Sequence, residues 1–179
     1  MKSVLCKQSL VLSSVLALAA CINLSTTIPA VDSVPPEVEL RINGPLTGPK
    51  VLSNPPTEVW VGELGTQYLD LAPDASYHFA LFVRDEGGVG RATFSLPAAL
   101  EVSDLVGDGL VVEVDGVARR LTVRGERSNP MSVLALSGRF RTSGAAGSLF
   151  DLGCEGEDFG GSSGPPNQRF LYTSPYVNP

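Results

Sequence analysis

The chain has 179 residues, with 13 Lys and Arg against 19 Asp and Glu, so its formal net charge is −6 at pH 7. Proteins that bind nucleic acids normally carry a basic face, so this balance argues against a nucleic-acid partner. Hydrophobic residues make up 43% of the chain, too many for a wholly disordered protein, while 19 Gly and 14 Pro indicate many loops. These numbers predict one loop-rich globular domain.

The N-terminus has the pattern of an export signal. Lys2 and Lys7 form a short positively charged region near the start of the chain, and an apolar stretch then runs from Leu10 to Ala20. As a helix this stretch would extend roughly 16 Å, about half of the hydrocarbon layer of a bilayer. The pattern therefore favours a secretory signal, residues 1–20, over a membrane-spanning helix.

The end of the apolar stretch, Leu18-Ala19-Ala20-Cys21, resembles the lipobox of bacterial lipoprotein precursors. The resemblance implies cleavage between Ala20 and Cys21, a diacylglycerol thioether on Cys21 and an N-acyl chain such as palmitate. Two or more acyl chains give stable anchoring, since each buried CH₂ contributes about 0.8 kcal/mol. Membrane lipid, reached through acylated Cys21, is thus one expected partner. An ordinary secretory signal with an unmodified cysteine is the alternative.

The residue after the cysteine bears on localisation. In Gram-negative lipoproteins an Asp at this position tends to retain the protein at the inner membrane, whereas this chain has Ile22. The resemblance therefore implies a lipid-anchored protein of the bacterial cell envelope, located at the outer membrane if the organism is Gram-negative.

Composition divides the mature chain into three parts. Residues 21–36 contain the lipidated Cys followed by a Ser-, Thr- and Pro-rich stretch that predicts a flexible tether. Residues 37–143 carry the strand patterns and are the predicted domain. Residues 144–179 are rich in Gly, Ser and Pro and are predicted to be partly flexible. The alternative is that this segment docks along the domain, with Phe170-Leu171-Tyr172 as a last strand.

Alternation of apolar and polar residues predicts strands throughout the domain. They begin at Glu37 and continue at Glu58–Gly62, Gln67–Leu71, Ser76–Arg84, Val89–Leu96, Leu110–Asp115, Val117–Arg124 and Ser132–Arg141. Asp115-Gly116 is predicted to supply the positive φ angles of a tight hairpin turn. No sustained helical stripe follows the signal, so we expect an all-β fold, a single antiparallel Ig-like sandwich of about seven to nine strands.

Two short motifs add a second resemblance. Asp32-Ser33-Val34-Pro35-Pro36 and Asp85-Glu86-Gly87-Gly88-Val89 resemble the entry and a turn of bacterial Ig-like or cadherin-like modules. In calcium-binding cadherin-like modules, acids near the linker hold the metal, which nominates Asp32 and Asp85. The chain lacks the fuller acidic motifs of that family.

Residues with catalytic potential are few. His78 is the only histidine and lies in the middle of a predicted strand, as a partly covered surface residue. Cys154 is followed by acids, which disfavour the reactive thiolate. The chain has no phosphate-binding loop, zinc spacing or dinucleotide fingerprint. The sequence therefore predicts no catalytic residue and no cofactor.

Carboxylates and one Trp are the remaining candidates. Asp151, Glu155, Glu157 and Asp158 lie in a Gly-rich run that could offer oxygens to calcium, although the twelve-residue EF-hand pattern is missing. Turn chemistry and solubility are the commoner reasons for such residues, so no metal site is predicted. Core or edge packing is the commoner role of a residue such as Trp60, and stacking on sugars, if it is exposed, is the alternative.

Together these patterns predict a membrane-anchored lipoprotein with a non-catalytic Ig-like binding or structural module. Its expected partner, besides lipid, is an envelope protein or a glycan. The alternatives are an accessory subunit of an envelope complex and a small envelope hydrolase that uses surface carboxylates.

Overall fold

The computed structural model describes residues 25–45, 48–54 and 69–179. Within these ranges the regular elements are all strands: β1 (Glu37–Gly44), β2 (Gly48–Asn54), β3 (Asp70–Leu71), β4 (Ser76–Arg84), β5 (Val89–Pro97), β6 (Glu101–Val106), β7 (Val111–Asp115), β8 (Ala118–Arg124), β9 (Val133–Arg141), β10 (Leu152–Asp158), β11 (Gln168–Thr173) and β12 (Tyr176–Val177). None of these residues forms a helix that is long and apolar enough to cross a membrane. The predicted signal, Cys21, and the predicted strand at Glu58–Gly62 lie outside the described residues.

The strands form two five-stranded antiparallel sheets. The first has the order β2-β1-β4-β9-β6 and the second the order β11-β10-β5-β8-β7, while β12 and β3 pair separately and in parallel. The all-β sandwich expected from the sequence is confirmed. The described residues hold more strands than predicted, because β2, β6, β10 and the two-residue β12 show no clear alternation of apolar and polar residues.

The two sheets pack their apolar faces together. In β4, Tyr77, Phe79, Leu81 and Val83 all point inward and are buried, as the alternation predicts. The ring of Phe79 meets that of Phe94 in β5 across the sandwich, with centroids 4.6 Å apart. Each large apolar side chain buried in this way contributes roughly 1.5–3 kcal/mol, so the inner faces supply the main stabilisation.

The opposite face of β4 is also covered. Phe82 lies under two guanidinium groups, those of Arg41 at 5.0 Å and Arg84 at 5.2 Å from its ring centroid. Glu39 binds both arginines, accepting from Arg41 Nε at 2.5 Å and Arg84 Nη1 at 3.0 Å. Both faces of this strand are therefore covered, the inner one by the core and the outer one partly by these charged side chains.

The C-terminal segment contributes to the sandwich beyond residue 143, where composition placed the boundary. β10 pairs with β5 on one side and with β11 on the other, and β11 contains Phe170-Leu171-Tyr172. The glycines of β10 do not loosen this strand, because the missing side chain at Gly156 lets the facing sheet approach closely. A Cβ on Gly156 would lie 2.8 Å from methyl groups of both Val38 and Val83 in the facing sheet. The segment therefore docks along the domain, and Phe170-Leu171-Tyr172 lies in a strand of the second sheet.

Residues 25–36, which the sequence assigns to the tether, lie along the sandwich. Thr26 N donates to Pro130 O at 2.9 Å, and Ser162 N donates to Pro29 O at 2.9 Å. These backbone bonds hold the segment against the loops that follow β8 and β10.

The turn between β7 and β8 differs from the prediction. The hairpin is present, but neither Asp115 nor Gly116 has a positive φ. The side chain of Asp115 closes the turn, because its Oδ1 accepts from Ala118 N at 3.0 Å. The prediction of left-handed residues here is wrong. The hydrogen bond from the Asp115 side chain stabilises the turn without positive φ angles.

Candidate functional site

An exposed aromatic pair lies on β11, which is at one edge of the second sheet among the described strands. Alternation along this strand turns Leu171 toward the core and leaves Phe170 and Tyr172 on the outer face. Phe170 is 41% exposed and Tyr172 is 69% exposed. Their rings are almost parallel, at 11°, with centroids 6.1 Å apart. We call these two residues the aromatic strip.

The neighbouring strand shapes one side of the strip. Gly153 in β10 is opposite Tyr172, and a Cβ there would lie 3.1 Å from Cε1 of the tyrosine ring. The glycine therefore lets the Tyr172 ring lie close to the sheet surface. The next outward positions of β10 are Glu155, opposite Phe170, and Glu157, opposite Gln168.

Polar groups border the aromatic strip. Arg91 of β5 binds both Glu155 and Glu157, and its Nη2 is 2.9 Å from Oε2 of Glu157. Gln168 Nε2 donates to the same Glu157 oxygen at 2.7 Å. The outer face thus places flat apolar rings beside fixed hydrogen-bonding groups, an arrangement suited to ligands with both apolar and hydroxyl surfaces.

The four acids nominated as weak metal ligands are not brought to one place. Strand alternation puts Glu155 and Glu157 on the outer face with Arg91, whereas Asp158 is buried. Asp151 is exposed and accepts from Ser174 Oγ at 2.7 Å. Only Asp158 joins a wider group of carboxylates.

That group contains Asp32, Asp85 and Asp158, which we call the carboxylate cluster. One carboxylate oxygen from each lies within 4.8 Å of the others. The bulge between Glu157 and Asp158 lies at this end of β10. Asp158 Oδ1 accepts from Gly160 N at 2.6 Å and from Asn167 N at 2.7 Å, and Asn167 Nδ2 donates to Oδ2 at 2.8 Å.

The cluster brings together the two acids nominated by the cadherin-like resemblance and adds a third. Sequence spacing could not show this, because Asp158 reaches the other two only through the pairing of β10 with β5. Three oxygens are fewer than the six to eight that calcium takes, so the cluster supplies part of a coordination sphere at most.

Proton binding offers another way to relieve the repulsion among these acids. Burial raises the pKa of Asp85 to about 7, and the charges of Asp32 and Asp158 act in the same direction. The hydrogen bond from Gly87 N to Asp85 Oδ1, at 2.7 Å, opposes this shift. A protonated Asp85 can donate a hydrogen bond to Asp32.

We predict that Asp85→Asn stabilises the protein at pH 8 but not near pH 4. The raised pKa of Asp85 means that the folded state holds a proton which the unfolded state releases above about pH 4. As the pH rises from about 4 to about 7, the free energy of unfolding of the wild type therefore falls relative to that of the variant. The Asn amide keeps the acceptor for Gly87 and the donor toward Asp32 at every pH. After allowance for solvent screening we expect about 1–2 kcal/mol at pH 8, measured by urea unfolding.

Asp108→Asn is the matched control, because Asp108 is exposed and lies outside the cluster. It should leave the free energy of unfolding unchanged at both pH values. An Asp85→Asn variant no more stable than wild type at pH 8 would contradict this account of the cluster.

The remaining sequence candidates lie apart. His78 is on the outer face of the first sheet, where burial and then the charge of Arg139 lower its pKa. Cys154 is a free thiol on the inner face of β10, only 2% exposed, and burial raises its pKa. Trp60 lies outside the described residues. The alternation of Phe170, Leu171 and Tyr172 pointed to a strand, and the same alternation places Phe170 and Tyr172 on its exposed face.

Comparisons with known proteins assign no family. No protein-family model and no curated protein matches the chain. A non-cellulosomal cohesin from the archaeon Archaeoglobus fulgidus is similar in structure, with 15% identity and a TM-score of 0.35 over 63% of this chain and 91% of that one.

Two other solved structures give similar values. AvmM, which catalyses macrocyclization in alchivemycin A biosynthesis, has 8% identity and a TM-score of 0.34 over 65% of this chain and 87% of that one. A DUF4466 family protein from Parabacteroides merdae has 8% identity and a TM-score of 0.36, and the match covers 80% of this chain and 44% of that one. Similarity at this level does not transfer a function.

Proposed function

We propose that this protein is a lipid-anchored, non-catalytic binding module of the bacterial cell envelope. The observation that carries the proposal is Leu18-Ala19-Ala20-Cys21, which closes an apolar stretch of the right length. With Ile22 after the cysteine, the proposed location is the outer membrane if the organism is Gram-negative. The β-sandwich that follows would be held close to the lipid surface through acylated Cys21.

Binding, rather than catalysis, fits the arrangement of the described residues. A nucleophile needs a base within hydrogen-bonding reach. His78 is on the outer face of the first sheet, and Cys154 is on the inner face of the second. Glu155 and Glu157, the best-placed surface carboxylates, are both bound to Arg91. The aromatic strip is exposed on the outer face of the sheet and suits a ligand such as a glycan or an envelope protein.

An accessory subunit of an envelope complex is a second candidate, favoured by the opposite edge of the same sheet. In the described part of the chain, β7 ends that sheet, and all five of its residues are exposed. Its valines, Val111, Val112 and Val114, are exposed on both faces. An open apolar edge of this kind can pair with a strand from another protein.

Cys21→Ser tests the anchor. We expect the wild-type protein to stay with membranes after a high-salt wash and to incorporate labelled palmitate. The variant should lose the label, and the amount of protein in the membrane fraction should fall at least about tenfold, since the variant carries none of the acyl chains.

Cys6→Ser is the matched control, because Cys6 lies earlier in the same signal region. This variant should behave as wild type in fractionation and labelling. Membrane retention and labelling that survive Cys21→Ser would refute lipid anchoring at Cys21.

A further inference from the structure

We infer that the aromatic strip, Phe170 and Tyr172, is a binding site for a neutral glycan chain whose sugar rings stack on the two side chains. This inference deepens the proposed function and rests on it in one respect, that the module binds a component of the envelope.

The geometry of the rings suits stacking. Their planes differ by only 11°, and both expose area on the outer face of the sheet. A pyranose has an apolar face of C–H groups and a rim of hydroxyls. Aromatic side chains bury a large area in such contacts, and the Tyr hydroxyl keeps a polar end in water. Neighbouring sugars of one chain can therefore occupy neighbouring rings.

Hydrogen-bonding groups lie where the hydroxyl rim of such a ligand would be. Glu155 and Glu157 retain 26% and 21% side-chain exposure although Arg91 binds both. An ionised carboxylate has about four acceptor positions, so each can still accept from sugar hydroxyls. The ion pairs with Arg91 also hold these carboxylates in place beside the strip.

Size and charge select the ligand. Two side chains offer far less than the roughly 800 Å² per partner of a standard protein interface. A narrow chain that lies across the sheet edge needs no such area. Glu155 and Glu157, together with the net charge of −6, disfavour an anionic polymer. A neutral glycan is the ligand class that remains.

Retention on insoluble polysaccharides tests this inference. The full-length protein in detergent micelles would be incubated with chitin, with cellulose and with polygalacturonate, an anionic glycan. We expect retention on chitin or cellulose and none on polygalacturonate. Tyr172→Ala should reduce the retained fraction about tenfold, and Phe170→Ala should reduce it by a smaller factor, because Phe170 is less exposed.

Val117→Ala is the matched control, since it removes an exposed apolar side chain from the turn between β7 and β8, at the far side of the same sheet. It should leave retention unchanged, and circular dichroism would verify that every variant is folded. Failure of the wild-type protein to bind either neutral polymer would overturn the inference, as would binding unaffected by both aromatic variants or a preference for polygalacturonate.

The outcome is separable from that of the proposed function. Loss of membrane retention in Cys21→Ser with no glycan binding would leave a lipoprotein whose aromatic pair only stabilises β11. Glycan binding without palmitate labelling would refute the anchor and leave the binding site intact.

Discussion

A chain that ends at Ser143 is expected not to fold. The missing residues include β10, which lies between β5 and β11, and remove the buried side chains of Leu152 and Cys154. The truncation would expose the edge of β5 and the apolar inner faces of both sheets. Domains of this size have only about 5–15 kcal/mol of stability, so the loss of two sheet strands exceeds what the remainder can sustain.

Circular dichroism and urea unfolding would measure this effect. The truncated chain should show no cooperative transition, whereas the full chain should unfold in one step. If the truncated chain unfolded cooperatively at the midpoint of the full chain, residues 144–179 would be a dispensable tail and the described second sheet would be wrong.

Gly156→Val is expected to destabilise the protein by about 3 kcal/mol, the upper end for overpacking a core. The first carbon of the new side chain would already lie 2.8 Å from methyl groups of Val38 and Val83. Valine side chains have little rotational freedom, so relief requires the two sheets to move apart. Urea unfolding with an unchanged m-value would give the difference directly.

Gly116→Val is the matched control, because nothing lies within 4 Å of the added carbon and φ there is not positive. Its effect should stay within about 0.5 kcal/mol, as for most surface substitutions. Equal effects of the two substitutions would show that Gly156 does not sit between the sheets.

Strand alternation identifies those parts of this fold where one face is buried and the other is wet. Ser76–Arg84 matches β4 residue for residue because its inward positions are all large and apolar. β2 and β10 were missed for a physical reason. β2 begins Gly-Pro, and β10 carries glycines at Gly153 and Gly156, so both resemble loops. In β10 these glycines fit the close approach of Tyr172 and of the facing sheet.

The candidate sites, too, were predictable from local sequence only in part. The resemblance to cadherin-like modules nominates Asp32 and Asp85, and the structure brings them together. Asp158 joins them only through sheet pairing, which no local pattern encodes. The exposure of Phe170 and Tyr172 depends on β11 lying at the edge of a sheet, and composition alone favoured a flexible segment there.

The mass of the N-terminal peptide of the mature protein, isolated from membranes, tests the central claim most directly. The account predicts a chain that begins at Cys21, with the added mass of a diacylglyceryl group and an N-acyl chain on that residue. A mature chain that begins elsewhere, or an unmodified Cys21, would contradict it.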